Sequence, residues 1–277
     1  MSVNPSSGQP RAKIPFTKAS ACGNDFLLVE ADHVSGDLPA LTRRLCHRHR
    51  GVGADGVEWL SPDPEADVDV KARLINADGS EAEISGNGTR CVAAQICSQQ
   101  ENKSVVVVRT GAGLKTCRLT NSKEARQSST FEFETEMGPP EVGGELSIET
   151  MWVRAIGMKV SMGNPHFVIF VENFPDGWQR QAALIQTQPQ FPQGTNVEYV
   201  AVRGPNEIEI RLFERGAGET ESSGTGSCAS AVAAIATGRV KSPVKVVAPG
   251  GPQTVRWQNE VYLQGPATII CRGEFFI

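Results

Sequence analysis

The chain has 277 residues, 39% hydrophobic and 21% charged, with 27 basic against 31 acidic side chains and a net charge of −4. This is the composition of a core-forming chain of one large or two medium domains, and its slight acidity argues against nucleic-acid binding, which needs a broad basic face. No apolar run approaches the roughly 20 residues that cross a bilayer, and the start, MSVNPSSGQPRAK, has no apolar stretch after its charges, so neither a membrane span nor a secretory signal is expected.

In chain order, residues 1–12 read as a flexible tail. FLLVEA (26–31) is a short apolar run expected to be a buried strand, and LPALTRRLCHRHRG (38–51) has helical apolar spacing with Gly51 as its stop. VKARLIN (70–76) alternates as a half-buried strand does. SGNGTRCVAAQIC, from Ser85, is a Gly-rich turn feeding a helix, followed by strands at VVVVR (105–109) and TFEFETE (130–136). FVIFVEN (167–173) and EIEIRLFE (207–214) are further strands. SGTGSCASAVAAIATG, from Ser223, is a second Gly-rich turn, and its helix is apolar on most faces and therefore buried. VKVVAP (244–249), TVRW (254–257), EVYLQG (260–265) and the closing ATIICRGEFFI complete a strand-rich chain.

The seven cysteines are odd in number and form no CxxC pair, so no disulfide framework and no zinc site is expected, and a reducing cytoplasm is the default. HRHR (47–50) lacks partner ligands at metal spacing and reads as a polar helix end. No metal is expected.

The chain repeats itself at half its length. RLINADGSEAEISGNG (73–88) and RLFERGAGETESSGTG (211–226) share seven of sixteen residues without a gap. GNDFLLVE, from Gly23, and GNPHFVIFVE, from Gly163, form a second pair in the same order. Two matches at nearly one offset point to two homologous halves about a pseudo-twofold axis, with a cleft between them as the natural ligand site. A helix N-terminus offers unpaired N–H groups and the positive end of its dipole, so two of them can grip one small carboxylate from both sides. Neither turn is a phosphate loop. Asn24, Asn76, Asn87, Asn164 and Asn196 stand in turn-like contexts, and Glu214 with Arg215 offers one carboxylate and one bidentate cation, suited to an amino group and a carboxylate.

Taken together, GNDFLLVE (23–30), HRHRGVGADG (47–56), NADGSEAE (76–83), GNGTRC (86–91), GNPHFV (163–168), GTNVEYV (194–200), ERGAGET (214–220), GTGSCASAVA (224–233) and APGG (248–251) make the chain resemble the diaminopimelate epimerase family from Phe16 to its end. The resemblance implies an α/β fold of two pseudo-symmetric domains, each a mixed sheet or barrel wrapped around a central helix. The halves would be 13–137 plus 265–277, and 138–264. It implies a cofactor-independent inversion of one α-carbon of L,L-2,6-diaminoheptanedioate to the meso form, in lysine and peptidoglycan synthesis, by a cytoplasmic homodimer. Carried over residue by residue, Asn24, Asn76, Asn164, Asn196, Glu214 and Arg215 match the ligand contacts, all but Asn24 at the non-reacting end. Gly86, Asn87, Gly224 and Thr225 match the carboxylate cradle.

The family's proton transfer uses two cysteines, immediately before GNG and before GTG. Here those positions are Ser85 and Ser223. Cys91 and Cys228 match cysteines inside the helices and are not replacements. A thiol at a helix N-terminus supplies thiolate near neutrality; a hydroxyl is a far weaker acid and needs an adjacent base. Neither serine has a His or Lys next to it in sequence; His166 as a spatial neighbour, Glu219, Glu221 and Cys22 are the candidates for one. Four readings stand at this point: an epimerase working through serines or a recruited base, a relative with other chemistry on a related amino acid, a binder without turnover, and a working epimerase substituted at two positions.

Overall fold

The computed structural model describes residues 13–121, 128–151 and 154–277. The tail at 1–12 lies outside the described residues. The first half runs β1 (Lys13–Ala21), β2 (Asn24–Glu30), a 3-10 turn, α1 (Leu38–Cys46), β3 (Gly56–Ser61), β4 (Val70–Asn76), β5 (Glu81–Ala82), α2 (Gly86–Gln99), β6 (Val105–Thr110), β7 (Gly113–Leu119) and β8 (Thr130–Gly138). After β9 (Glu141–Glu149), the same order returns. β10 (Arg154–Ser161), β11 (Pro165–Val171), α3 (Trp178–Gln186), β12 (Asn196–Gly204), β13 (Glu207–Glu214) and β14 (Gly218–Thr220) lead to α4 (Gly224–Ala236), β15 (Val244–Ala248), β16 (Gly251–Trp257) and β17 (Val261–Phe276). The repeat seen in two sequence blocks thus extends to every main element.

Strand pairing repeats as well. β2 runs parallel to β3, and β11 parallel to β12. β4 runs parallel to β6, and β13 parallel to β15. In the first half β1, β2, β3, β4, β6, β7, β8 and β17 close into a ring, because β17 pairs with both β8 and β1. The start of β17 also pairs with β16, so this one strand is shared by both halves.

α2 lies inside the first ring and buries Asn87 through Cys97; α4 buries Gly226 through Ala234 in the second half. Each is surrounded by its own core, with Val92 and Ile96 in one and Val232 in the other. A helix enclosed by sheet has no solvent face, which is why α4 is apolar or small nearly all round; α2 also buries the polar Asn87, Arg90 and Gln95. α1 and α3 cover the outer faces, through Leu41 and Leu45 in one half and Trp178, Ala182 and Ile185 in the other.

Two boundaries differ from the sequence reading. α1 ends at Cys46, five residues before Gly51, because the Val52 and Gly53 amides donate to the Leu45 carbonyl and fold the HRHR segment into a turn. The last two strands are one: Gly265 and Pro266 pair in register with Phe133 and Glu132 of β8 and do not break it.

Candidate functional site

The structural repeat gives each central helix the same first turn. Ser85 caps α2 from an extended backbone, its Oγ accepting from the Gly88 amide at 3.1 Å. Ser223 caps α4 likewise, accepting from the Gly226 amide at 3.2 Å. Serine is a good N-cap because its short side chain reaches the unpaired donors of the first turn. A Cβ built on Gly86 would meet no heavy atom within 4 Å, so the start of α2 faces open space.

The two halves are tied together at these helix ends. The Asn87 amide donates to Asn24 Oδ1 at 2.7 Å and to Ser222 Oγ, in the other half, at 3.3 Å. Its own Oδ1 accepts a short hydrogen bond from Arg90. Arg90 is 1% exposed. It also donates to Cys22 Sγ at 3.7 Å and to the Pro266 carbonyl at 3.5 Å. Its hydrogen-bond partners are thus neutral, while the partly buried Glu132 carboxyl feels the guanidinium, which opposes the upward push of burial on it; the guanidinium stands in the first turn of α2, at the helix's positive end. Asn24 is held in turn by Asp55 at 3.3 Å, and Arg48 of the HRHR segment clamps Asp25 and Asp55.

In the second half, Asn164 donates to Thr225 Oγ1 at 3.4 Å, and its Oδ1 lies 3.0 Å from His166 Nε2. His166 Nδ1 lies 2.6 Å from Glu198 Oε1, both groups buried. Asn196 donates to the Pro165 carbonyl at 3.0 Å and accepts from the Arg215 amide at 2.9 Å. The Arg215 guanidinium reaches the Gln193 carbonyl at 3.0 Å, and Glu214 accepts from Thr220 at 2.8 Å, so these two side chains bond other groups. Gly224 stands at the start of α4, where an added Cβ would lie 3.3 Å from Leu263. Asn76, at the end of β4, bonds Ser80 within its own turn at 3.0 Å and joins none of the others.

Among the bases suggested by the sequence, Glu219 is exposed and bonds Gln179 at 3.2 Å. Glu221 is exposed. Cys22 is buried, and burial pushes its thiol up against the opposing pull of Arg90. Two buried carboxyls are absent from the sequence reading. Glu58, on β3, is 3% exposed, and burial alone pushes it up to about 8. Glu198, on β12, is also raised by burial, with His166 opposing the shift. The signal for both is a further repeat, VEWL (57–60) against VEYV (197–200). Among the described residues no group of three or more His, Cys, Asp and Glu is arranged to hold a metal, and no helix is long and apolar enough to cross a membrane.

The comparisons with known proteins agree with this geometry. The family model described as diaminopimelate epimerase matches residues 16–142 and 158–270. The diaminopimelate epimerase of Desulfitobacterium hafniense is 37% identical over 93% of this chain and 96% of its own. That of Pelotomaculum thermopropionicum is 39% identical over 94% and 98%. In fold, the chain is similar to a hydroxyproline epimerase from Agrobacterium vitis, at TM-score 0.66 and 16% identity over 95% of this chain and 91% of that one. It is also similar to a PhzF-family phenazine biosynthesis protein from Bacillus anthracis, at TM-score 0.70 and 14% identity over 96% and 99%. With both halves, both helix ends and the motifs between them matched over nearly the whole length, this chain belongs to the diaminopimelate epimerase family.

Proposed function

We propose that the chain binds a 2,6-diamino dicarboxylic acid between the N-termini of α2 and α4 and inverts its α-carbon, the diaminopimelate epimerase reaction, with hydroxyls at both proton-transfer positions. The observation that carries this reading is the Asn87 bridge, which joins the capped end of α2 to Asn24 and to Ser222 beside the capped end of α4. Gly86, Asn87, Gly224 and Thr225 cradle the reacting carboxylate. Asn76, Asn164, Asn196, Glu214 and Arg215 hold the distal end, and Asn24 completes the contacts. The helix ends and the buried Arg90 charge stabilise the carbanion electrostatically, so no cofactor is required. The cleft lies between 13–137 plus 265–277 and 138–264, a division supported by the separate cores around α2 and α4. The family resemblance supplies the rest: a cytoplasmic homodimer in lysine and peptidoglycan synthesis.

A binder without turnover is the second reading. It is favoured by one observation: among the described residues, each serine Oγ is hydrogen-bonded by its own helix's amide and by no carboxylate or imidazole. Protein made in a host lacking its own epimerase, incubated with L,L-diaminopimelate in D₂O, separates the two. Loss of the α-proton signal with appearance of the meso form supports the epimerase. A ligand-dependent rise in melting temperature with the signal unchanged supports the binder. Neither effect refutes both.

A further inference from the structure

We infer that the proton reservoirs behind Ser85 and Ser223 are two buried carboxyls, Glu58 on β3 and Glu198 on β12, which the internal repeat places at the same point in each half. This rests on the epimerase reading above and names the groups that would make it work. The placement is symmetric in detail. Glu58 lies in register with Leu28 on one side and Leu74 on the other; Glu198 lies with Val168 and Leu212. Both side chains run under the first turn of the central helix. A Cβ built on Gly88 would lie 2.2 Å from Glu58 Oε1 and 3.2 Å from Ser85 Cβ. One built on Gly226 would lie 3.2 Å from Glu198 Oε1 and 3.1 Å from Ser223 Cβ. In each half the carboxyl and the capping serine pack against the same glycine of the helix's first turn.

Burial of a carboxyl is costly unless its oxygens are satisfied. Glu198 Oε2 is buried without a hydrogen-bond partner. Two such groups at symmetric points, each packed against the same glycine as a serine that needs a base, supply what serine lacks and a thiol would not need. The two are not alike. Glu198 is bonded to His166 and feels Glu214, whereas Glu58 has Phe26 at the register position of His166 and faces Cys91 on α2. Burial keeps Glu58 protonated at neutral pH. Glu198 is raised by burial too, but its Oε1 lies 2.6 Å from His166 Nδ1, and the imidazole opposes the shift.

Protons and electrons balance across the transfer. On one face, the α-proton passes to Ser223 Oγ as the Ser223 hydroxyl proton moves to the Glu198–His166 pair; the C–H electrons stay on carbon. On the opposite face, Glu58 gives its proton to Ser85 Oγ, and the Ser85 hydroxyl proton bonds to that carbon. One C–H bond breaks and one forms, the pair gains a proton, Glu58 loses one, and exchange with solvent resets both. Glu58 and Glu198 act through the serines and are positioning residues.

The test is α-proton washout together with formation of the meso form in D₂O with L,L-diaminopimelate, alongside calorimetric affinity, for the full chain, Glu58→Gln, Glu198→Gln and Ser85→Cys plus Glu58→Gln. Each glutamine variant is expected to slow formation of the meso form by about 100-fold or more, the scale of a lost acid–base group, while affinity holds; Glu198→Gln slows washout as well, whereas Glu58→Gln does not, because Glu58 acts after the α-proton has left. Ser85→Cys is expected to restore the Glu58→Gln variant, because a thiol at a helix end is acidic enough to give its own proton. Glu58→Leu, suited to an apolar site, serves should the amide variant not fold. Formation of the meso form at the wild-type rate in Glu58→Gln, or no rescue by Ser85→Cys in a folded protein, overturns the inference. Wild-type protein that binds without washout overturns it and leaves the binder reading, whereas no binding at all overturns the proposed function itself.

Discussion

Replacing Glu58 by Gln is expected to stabilise the protein progressively as pH rises. Glu58 has an ordinary value of 4.5, and burial lifts it in the fold to about 8. Between those values the folded protein holds a proton that the unfolded chain has released, so stability falls as pH rises through the window and levels off above it. A tenfold difference in proton affinity between the folded and unfolded chain corresponds to about 1.4 kcal/mol, so going from pH 5 to pH 9 removes roughly 4 kcal/mol from the wild type. Gln keeps the shape, does not titrate, and loses none of this. For a chain of this size 1 kcal/mol moves the melting temperature by about 2–4 °C, so the gap between variant and wild type widens by about 10 °C over that range. Scanning calorimetry of both proteins at pH 5, 7 and 9 reads it directly. Every other titrating group is common to the two proteins and drops out of the difference. A gap that is the same at all three pH values would refute the buried, protonated state of Glu58.

Three further outcomes follow from the same geometry. Gly88→Ala drives a Cβ to 2.2 Å from Glu58 Oε1 and should cost about 1–3 kcal/mol by overpacking, seen in denaturant unfolding; an unchanged midpoint would mean that the first turn of α2 does not press on Glu58. Asn87→Ala strips Arg90, Asn24 and Ser222 of a shared partner and should lose about 1–3 kcal/mol of stability together with affinity for diaminopimelate, which melting curves with and without ligand would show. Iodoacetamide should label Cys271 alone in the native protein, giving a single adduct by mass spectrometry, since Cys271 is exposed while the other six cysteines are buried and burial pushes Cys46 and Cys228 up to about 12; rapid labelling at Cys22 would contradict the closed packing around Arg90.

Much of the fold was legible because two identical problems were solved twice. The Gly-rich turns before α2 and α4 carry cap, glycine and buried helix in one contiguous stretch, and FLLVEA and FVIFVEN are apolar enough to stand alone as strands. β1 is hard to see in sequence because KIPFTKASA mixes Pro, Lys and Ser into its alternation, and it is completed as a strand by β2 and β17 on either side. α3 carries only three buried residues, Trp178, Ala182 and Ile185, at a spacing that nine residues, four of them Gln or Arg, barely display. The join at Gly265 and Pro266 resembles a turn because those two residues usually punctuate strands; here β8 pairs alongside and carries the strand through. At the site, asparagines in turns draw attention because polar residues at strand ends are visible in a sequence. Glu58 and Glu198 sit in mid-strand among apolar neighbours, and only the sheet shows that both point beneath a helix end.

The difference between the two halves bears directly on chemistry. Phe26 and His166 occupy the same place in the repeat, two residues before the position that faces the buried carboxyl. In the second half the imidazole hydrogen-bonds Glu198 on one side and reaches Asn164 on the other, so the helix end, the asparagine and the carboxyl form one connected network ending at Thr225. In the first half phenylalanine supplies no hydrogen bond, and Glu58 is left to burial, which holds its proton. Burial pushes both carboxyls up, but only Glu198 has an imidazole opposing that push, and unequal environments at one fold position are what separates an acid from a base at a single pH. A pair of identical thiols can exchange those roles with each turnover, each titrating near neutrality. A pair of hydroxyls cannot, so any directionality must come from beneath them, and the contrast between Phe26 and His166 is where this fold provides it.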